Sequence, residues 1–175
     1  FNDTAWPQGP ALLYVEAAEL PAPKNTALTL GQSAYYFRTR VVLSNDLAGF
    51  TLNASAYLDD GAVFYVNGTE AQRVRMAAGV VTNLSTATGQ PPGSDALSPD
   101  LFTLNPALFV PGTNVIAVEV HQNQLGSSDI TFGLRLVADR PATSNYIALA
   151  TPGASKSGFT RPSRVGPALQ NGAIV

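Results

Sequence analysis

A period of two in the apolar residues, repeated in segment after segment, constrains this chain more than any other feature. In FTLNASAYL, residues 50–58, Phe50, Leu52, Ala54, Ala56 and Leu58 fall on one side of an extended chain. Thr51, Asn53, Ser55 and Tyr57 fall on the other. AYYFRTRVVL, residues 34–43, sets Tyr35, Phe37, Val41 and Leu43 against Tyr36, Arg38 and Arg40. NVIAVEVHQ, residues 114–122, sets Ile116, Val118 and Val120 against Glu119 and His121. DITFGLRLV, residues 129–137, sets Ile130, Phe132, Leu134 and Leu136 against Thr131, Gly133 and Arg135. Such segments cannot bury a helical stripe, so they predict half-buried antiparallel strands with one apolar face each. No segment combines helical periodicity with caps; at most SPDLF, residues 98–102, allows one short turn.

Turn chemistry agrees. Asn67-Gly68 suits a two-residue type I′ hairpin, whose central residues both need positive φ. Asp59-Asp60-Gly61 reads as a bend that starts a hairpin, and Pro111-Gly112 as another turn. Residues 86–99, TATGQPPGSDALSP, form a long loop of the kind that carries function or moves. Alternation fades from Arg140, where Pro, Gly, Ser and Ala take over. The expected organisation is a β-sandwich domain over residues 1–139 and an extended arm or linker over residues 140–175.

Composition narrows the partners. Charged residues make up 13% and the net charge is −2, so no basic field draws in nucleic acid. No apolar run is long enough for a membrane-spanning helix. Without cysteine there is no disulfide, thiolate nucleophile or cysteine-held zinc. The low charge, with much Thr, Ser, Asn and Gln, points to a secreted or cell-surface bacterial protein. The start at Phe1 fits a piece of a longer precursor. Four Asn-X-Ser/Thr triplets, at Asn2, Asn53, Asn67 and Asn83, matter only in a host that glycosylates.

FNDTAWPQGPALLYVE, YYFRTRVVL, LDDGAVFYVNGTEAQRVRM and PGTNVIAVEVHQ, in that order, resemble a galactose-binding-like jelly-roll module. Such modules occur in large secreted bacterial proteins, as non-catalytic carbohydrate-binding modules and as the sugar-binding domain of beta-galactosidase-type glycosidases. The resemblance spans roughly residues 1–138. It implies a jelly-roll sandwich, a glycan or cell-surface partner and, in many members, a structural calcium. One fold hosts many functions, so it implies the fold more strongly than the activity. Related modules have a further strand before the FNDTAW element. Its lack here would leave an open sheet edge that invites strand addition, to which GPALQNGAIV, residues 166–175, is a candidate partner.

The candidate chemistry is sparse. Asp59 and Asp60 are adjacent on a strand end, so their side chains point to opposite faces and make a poor acid–base pair across a sugar bond. They read as a bend, with calcium ligation as the alternative. His121 is the single histidine and shares the outward side with Glu119. With Arg38, Arg40 and Arg135 these residues form either a solvated charge network or a surface that hydrogen-bonds sugar hydroxyls. Tyr36 and Tyr57, also outward, are candidate stacking platforms, whereas Trp6 reads as a packing residue. The ligand-binding candidates are therefore Tyr36, Arg38, Tyr57, Glu119 and His121. With no phosphate loop, nucleophile elbow or histidine-rich metal motif, no enzyme is expected. The expected function is a glycan-binding or surface-adhesion module of a larger secreted protein. The alternative is a structural subunit of an extracellular fibre or surface assembly, joined by exchange of arms or strands between neighbours.

Overall fold

A computed structural model describes residues 2–93 and 95–140, and the arm predicted over residues 140–175 lies almost wholly outside them. Among the described residues nine strands form two sheets. In chain order they are β1 (Leu13–Val15), β2 (Thr26–Ala27), β3 (Ala34–Leu43), β4 (Thr51–Asp59), β5 (Gly61–Val66), β6 (Thr69–Val74), β7 (Asp100–Leu104), β8 (Gly112–His121) and β9 (Ile130–Asp139). The five-stranded sheet runs β2-β1-β9-β4-β7 and the four-stranded sheet runs β3-β8-β5-β6. All pairings are antiparallel except the short contact between β1 and β2. The protein is thus an all-β sandwich.

The alternating residues do what their period dictates. Leu52, Ala54, Ala56 and Leu58 of β4 and Phe132, Leu134 and Leu136 of β9 are buried. They meet Phe37, Phe64, Val66, Ile116, Val118 and Val120 from the other sheet in one core. Two aromatic pairs bridge the layers: Phe37 stacks on Phe132 with ring centroids 4.6 Å apart, and Phe64 meets Phe102 at 5.0 Å. Burying such rings is the main drive that holds the sheets face to face.

Asn67-Gly68 closes the β5–β6 hairpin with φ of 51° and 81°, as a type I′ turn requires. The Asn67 side chain also donates to Leu108 O and to Asn114 Oδ1, and accepts from Val115 N, pinning the hairpin to the start of β8.

The Asp59-Asp60-Gly61 bend leads into the β5–β6 hairpin, and the chain crosses between layers there, since β4 and β5 belong to different sheets. One expectation needs correction. SPDLF contains no helical turn, because Asp100–Leu104 pairs with β4 as an edge strand. The single 3-10 turn among the described residues, Pro106–Leu108, follows it, with Asn105 capping Ala107 N.

Candidate binding face and acidic centre

The four-stranded sheet carries most of the predicted binding residues on its outer side. Register places Tyr36 opposite Glu119, which in turn faces Val63. The next outward row runs Arg38, Ala117 and Tyr65. Tyr36 is 48% exposed. Tyr65 donates its hydroxyl to Glu119 Oε1 at 2.5 Å. Burial, that hydrogen bond and the Glu119 charge all push the Tyr65 hydroxyl above its ordinary range. Tyr36 is also raised, first by burial and then by Glu119. Two tyrosines on opposite sides of β8, with Glu119 and small Ala117 between them, thus form a polar floor with aromatic walls. Two strand spacings put those walls roughly 10 Å apart.

Both ends of this face are closed by other parts of the chain. At one end Asp3 pairs with Arg40 at 2.7 Å and lies 3.4 Å from Arg38 Nε. The Arg40 hydrogen bond holds the Asp3 carboxyl below the usual carboxylate range. At the other end a strap over residues 75–88 covers His121. The His121 Nδ1–H donates to Ser85 O at 2.8 Å, Ala87 N donates to Gln122 O, and Ser33 Oγ donates to Asn83 O.

His121 is therefore outward by alternation yet fully buried, which corrects its expected place on a solvated surface. The covering segment comes from a loop with no periodicity to announce it. Tyr57 and Arg135 are also separated from this face, since they lie on the outer side of the five-stranded sheet. The structure brings together Tyr36, Arg38, Glu119 and His121, and leaves Tyr57 with the acidic centre.

That centre sits where β1 ends, β4 ends and β9 begins. Asp59 is the register partner of Thr131, and Val15 that of Ile130. Glu16 and Asp129, one residue beyond that pair, meet on the outer side next to Asp59. One oxygen of each of Glu16, Asp59 and Asp129 lies within 4.8 Å of the others. Asp59 is 1% exposed, and its carboxyl is pushed up to about 8. Burial is the largest cause, followed by a hydrogen bond with Asp60 and the charges of Asp60, Asp129 and Glu16.

The Asp59 and Asp60 carboxyls thus meet, although strand alternation should part them, because the chain leaves the sheet at Asp60 and alternation no longer applies. Asp60 Oδ2 accepts from Asn123 N at 2.7 Å. Arg75 donates to Asp60 O and Leu58 O while pairing with both oxygens of Asp100, which braces the bend. Asp60 therefore supports backbone, whereas Asp59 joins Glu16 and Asp129. Sequence reading missed Glu16, Asp129, Tyr65 and the strap; Glu16 and Asp129 flank apolar strand runs, a signal that becomes informative only once the pairing of β1 with β9 is known.

No family model and no curated protein sequence matches this chain.

Proposed function

We propose that this chain is a non-catalytic β-sandwich module that binds glycans or a glycan-bearing surface within a larger secreted bacterial protein. The supporting observation is the outer face of the four-stranded sheet, where exposed Tyr36 and hydrogen-bonded Tyr65 flank Glu119, with Arg38 beside them. Sugar rings present apolar CH faces and dense hydroxyls, which tyrosine rings and fixed carboxylate or guanidinium groups complement. The galactose-binding-like jelly-roll type belongs to the same proposal, supported by the ordered motifs of the sequence and by the two-sheet architecture.

The test is affinity electrophoresis against a polysaccharide panel, followed by the same panel with Tyr36→Ala and Glu119→Gln. Retention of the wild type, weakened roughly tenfold or more in both variants with melting temperature unchanged, supports the reading. No retention on any polysaccharide overturns it.

A structural fibre subunit is the second reading. It is favoured by β3, a ten-residue strand at a sheet edge with Val42 72% exposed beside it on the same strand. Concentration-dependent assembly in light scattering, lost on deletion of residues 158–175, would support it; filaments that persist without those residues would refute arm exchange.

A further inference from the structure

The buried ring of His121 stands between two oxygens that accept hydrogen bonds. One is the carbonyl of Ser85 in the strap, 2.8 Å from Nδ1. The other is Glu119 Oε2, 3.4 Å from Nε2, on a carboxylate whose Oε1 is already held by the Tyr65 hydroxyl. A neutral imidazole carries one N–H, so it serves one oxygen and turns a lone pair on the other. With that hydrogen on Nδ1, Nε2 faces the carboxylate bare. Nε2 is buried and has no hydrogen-bond partner among the described residues, a condition folds normally avoid. A second proton, on Nε2, lets one ring hold both the strap and Glu119.

The register partners of His121 are Ala34 of β3 and Gly61 of β5, which bring no polar side chain to the ring. Further along the same outer face lie Tyr36 and Arg38 of β3, Tyr65 of β5 and the Glu70–Arg73 pair of β6. Beside Gly61, Asp60 Oδ2 accepts from Asn123 N, and Arg75 pairs with Asp100. Among the described residues Glu119 is thus the one carboxylate in ion-pair contact with the ring.

The strap is a loop closed at its base by Thr88 N, which donates to Arg75 O. It rests on Gly61, where an added methyl group would strike Ala87. Val80 and Leu84 are 92% and 76% exposed, so its tip buries little apolar surface. Polar contacts seat it instead: Ser85 O on His121, Asn83 O on Ser33, Ala87 N on Gln122 O, and Arg73 on Ala77 O and Gly79 O.

Taking the outer face as the glycan site, we propose that His121 is its positioning residue. One proton between His121 Nε2 and Glu119 Oε2 fixes the carboxylate while Nδ1 keeps the strap latched at Ser85. An ionised carboxylate has about four lone-pair directions, so Glu119 held on both oxygens still accepts from a sugar hydroxyl. Loss of the proton leaves either Glu119 or Ser85 unheld. Sugar affinity therefore falls as pH rises, by up to about tenfold per pH unit for a single proton.

The test is nitrogen-15 and amide nuclear magnetic resonance of the full chain between about pH 5 and pH 8, where histidine changes charge. His121 is the single histidine, so every imidazole signal belongs to it. Both ring nitrogens should carry protons at the acid end, and the ring and the amides of residues 83–88 should shift with one midpoint. Glu119→Gln offers an amide N–H to Nε2, so a neutral ring is satisfied and the strap signals should lose their pH dependence. Should that variant fail to fold, Tyr65→Phe removes the competing donor and should move the midpoint to higher pH. A ring that keeps both protons throughout supports the link if Glu119→Gln strips one of them. A ring with one proton throughout, or a transition unchanged in the variant, overturns it. Affinity for a retained oligosaccharide should fall through the same midpoint, and constant affinity overturns the positioning role. If no sugar binds, the glycan reading fails, and the ring titration alone decides the proton link.

Discussion

Replacing the titratable Asp59 carboxyl should flatten the pH dependence of stability. Two unit charges about 4.8 Å apart cost about 3.5 kcal/mol at an effective dielectric constant near 20. Three ionised carboxylates make three such pairs, on the order of 10 kcal/mol, as large as the whole stability of a typical domain. The fold avoids this by keeping a proton on Asp59, whose carboxyl is raised to about 8. An unfolded chain releases that proton near the ordinary carboxylate value of 3.8. The folded state therefore binds the extra proton between about pH 4 and pH 8. Its contribution is complete below that window and disappears as pH rises through it, with a slope of up to about 1.4 kcal/mol per pH unit. Urea denaturation at several pH values across the window measures the slope, and Asp59→Asn provides the reference without the titrating group. Asp3 and Glu70, both lowered by arginine partners, act below the window and leave the comparison clean. A wild-type curve parallel to that of Asp59→Asn would refute the reasoning.

Three further substitutions probe the frame that holds the two sites. Phe132→Ala removes a fully buried ring stacked on Phe37 and should cost about 3–5 kcal/mol in denaturant unfolding, with a near-zero loss arguing against the inter-sheet core. Arg75→Ala strands Asp100 and frees the carbonyls of Leu58 and Asp60; equilibrium unfolding should show a loss of about 2–3 kcal/mol. Gly61→Ala would bring a methyl group within 2.8 Å of both Ala87 Cβ and Arg75 O, so the strap must lift. A loss of about 1–3 kcal/mol, with faster amide exchange confined to residues 75–88, is expected.

Strands were legible wherever alternation ran for eight or more residues, as in β3, β4, β8 and β9, because period two reports directly which side is buried. β7 was not legible: it is five residues long, its Leu101 is 76% exposed, and its pairing partner lies far away in sequence. Assignment of strands to sheets was equally hidden, so the bend at Asp59-Asp60 was legible as the turn before the β5–β6 hairpin but not as a crossing between layers. Alternation gave the side of His121 correctly, yet not its burial, since cover comes from a strap without periodicity. The acidic centre was half visible. Asp59 stood out in the Asp59-Asp60-Gly61 bend, but Glu16 and Asp129 reach it only through the β1–β9–β4 register, a long-range property that no local pattern carries.

The proposal that the four-stranded sheet presents a glycan-binding face is tested most directly by nuclear magnetic resonance, with titration of a retained oligosaccharide into labelled protein. The account predicts shifts that cluster on Tyr36, Arg38, Ala117, Glu119 and Tyr65 and vanish in Tyr36→Ala. Shifts confined to the outer side of the five-stranded sheet, or absent from both sheets, would contradict it.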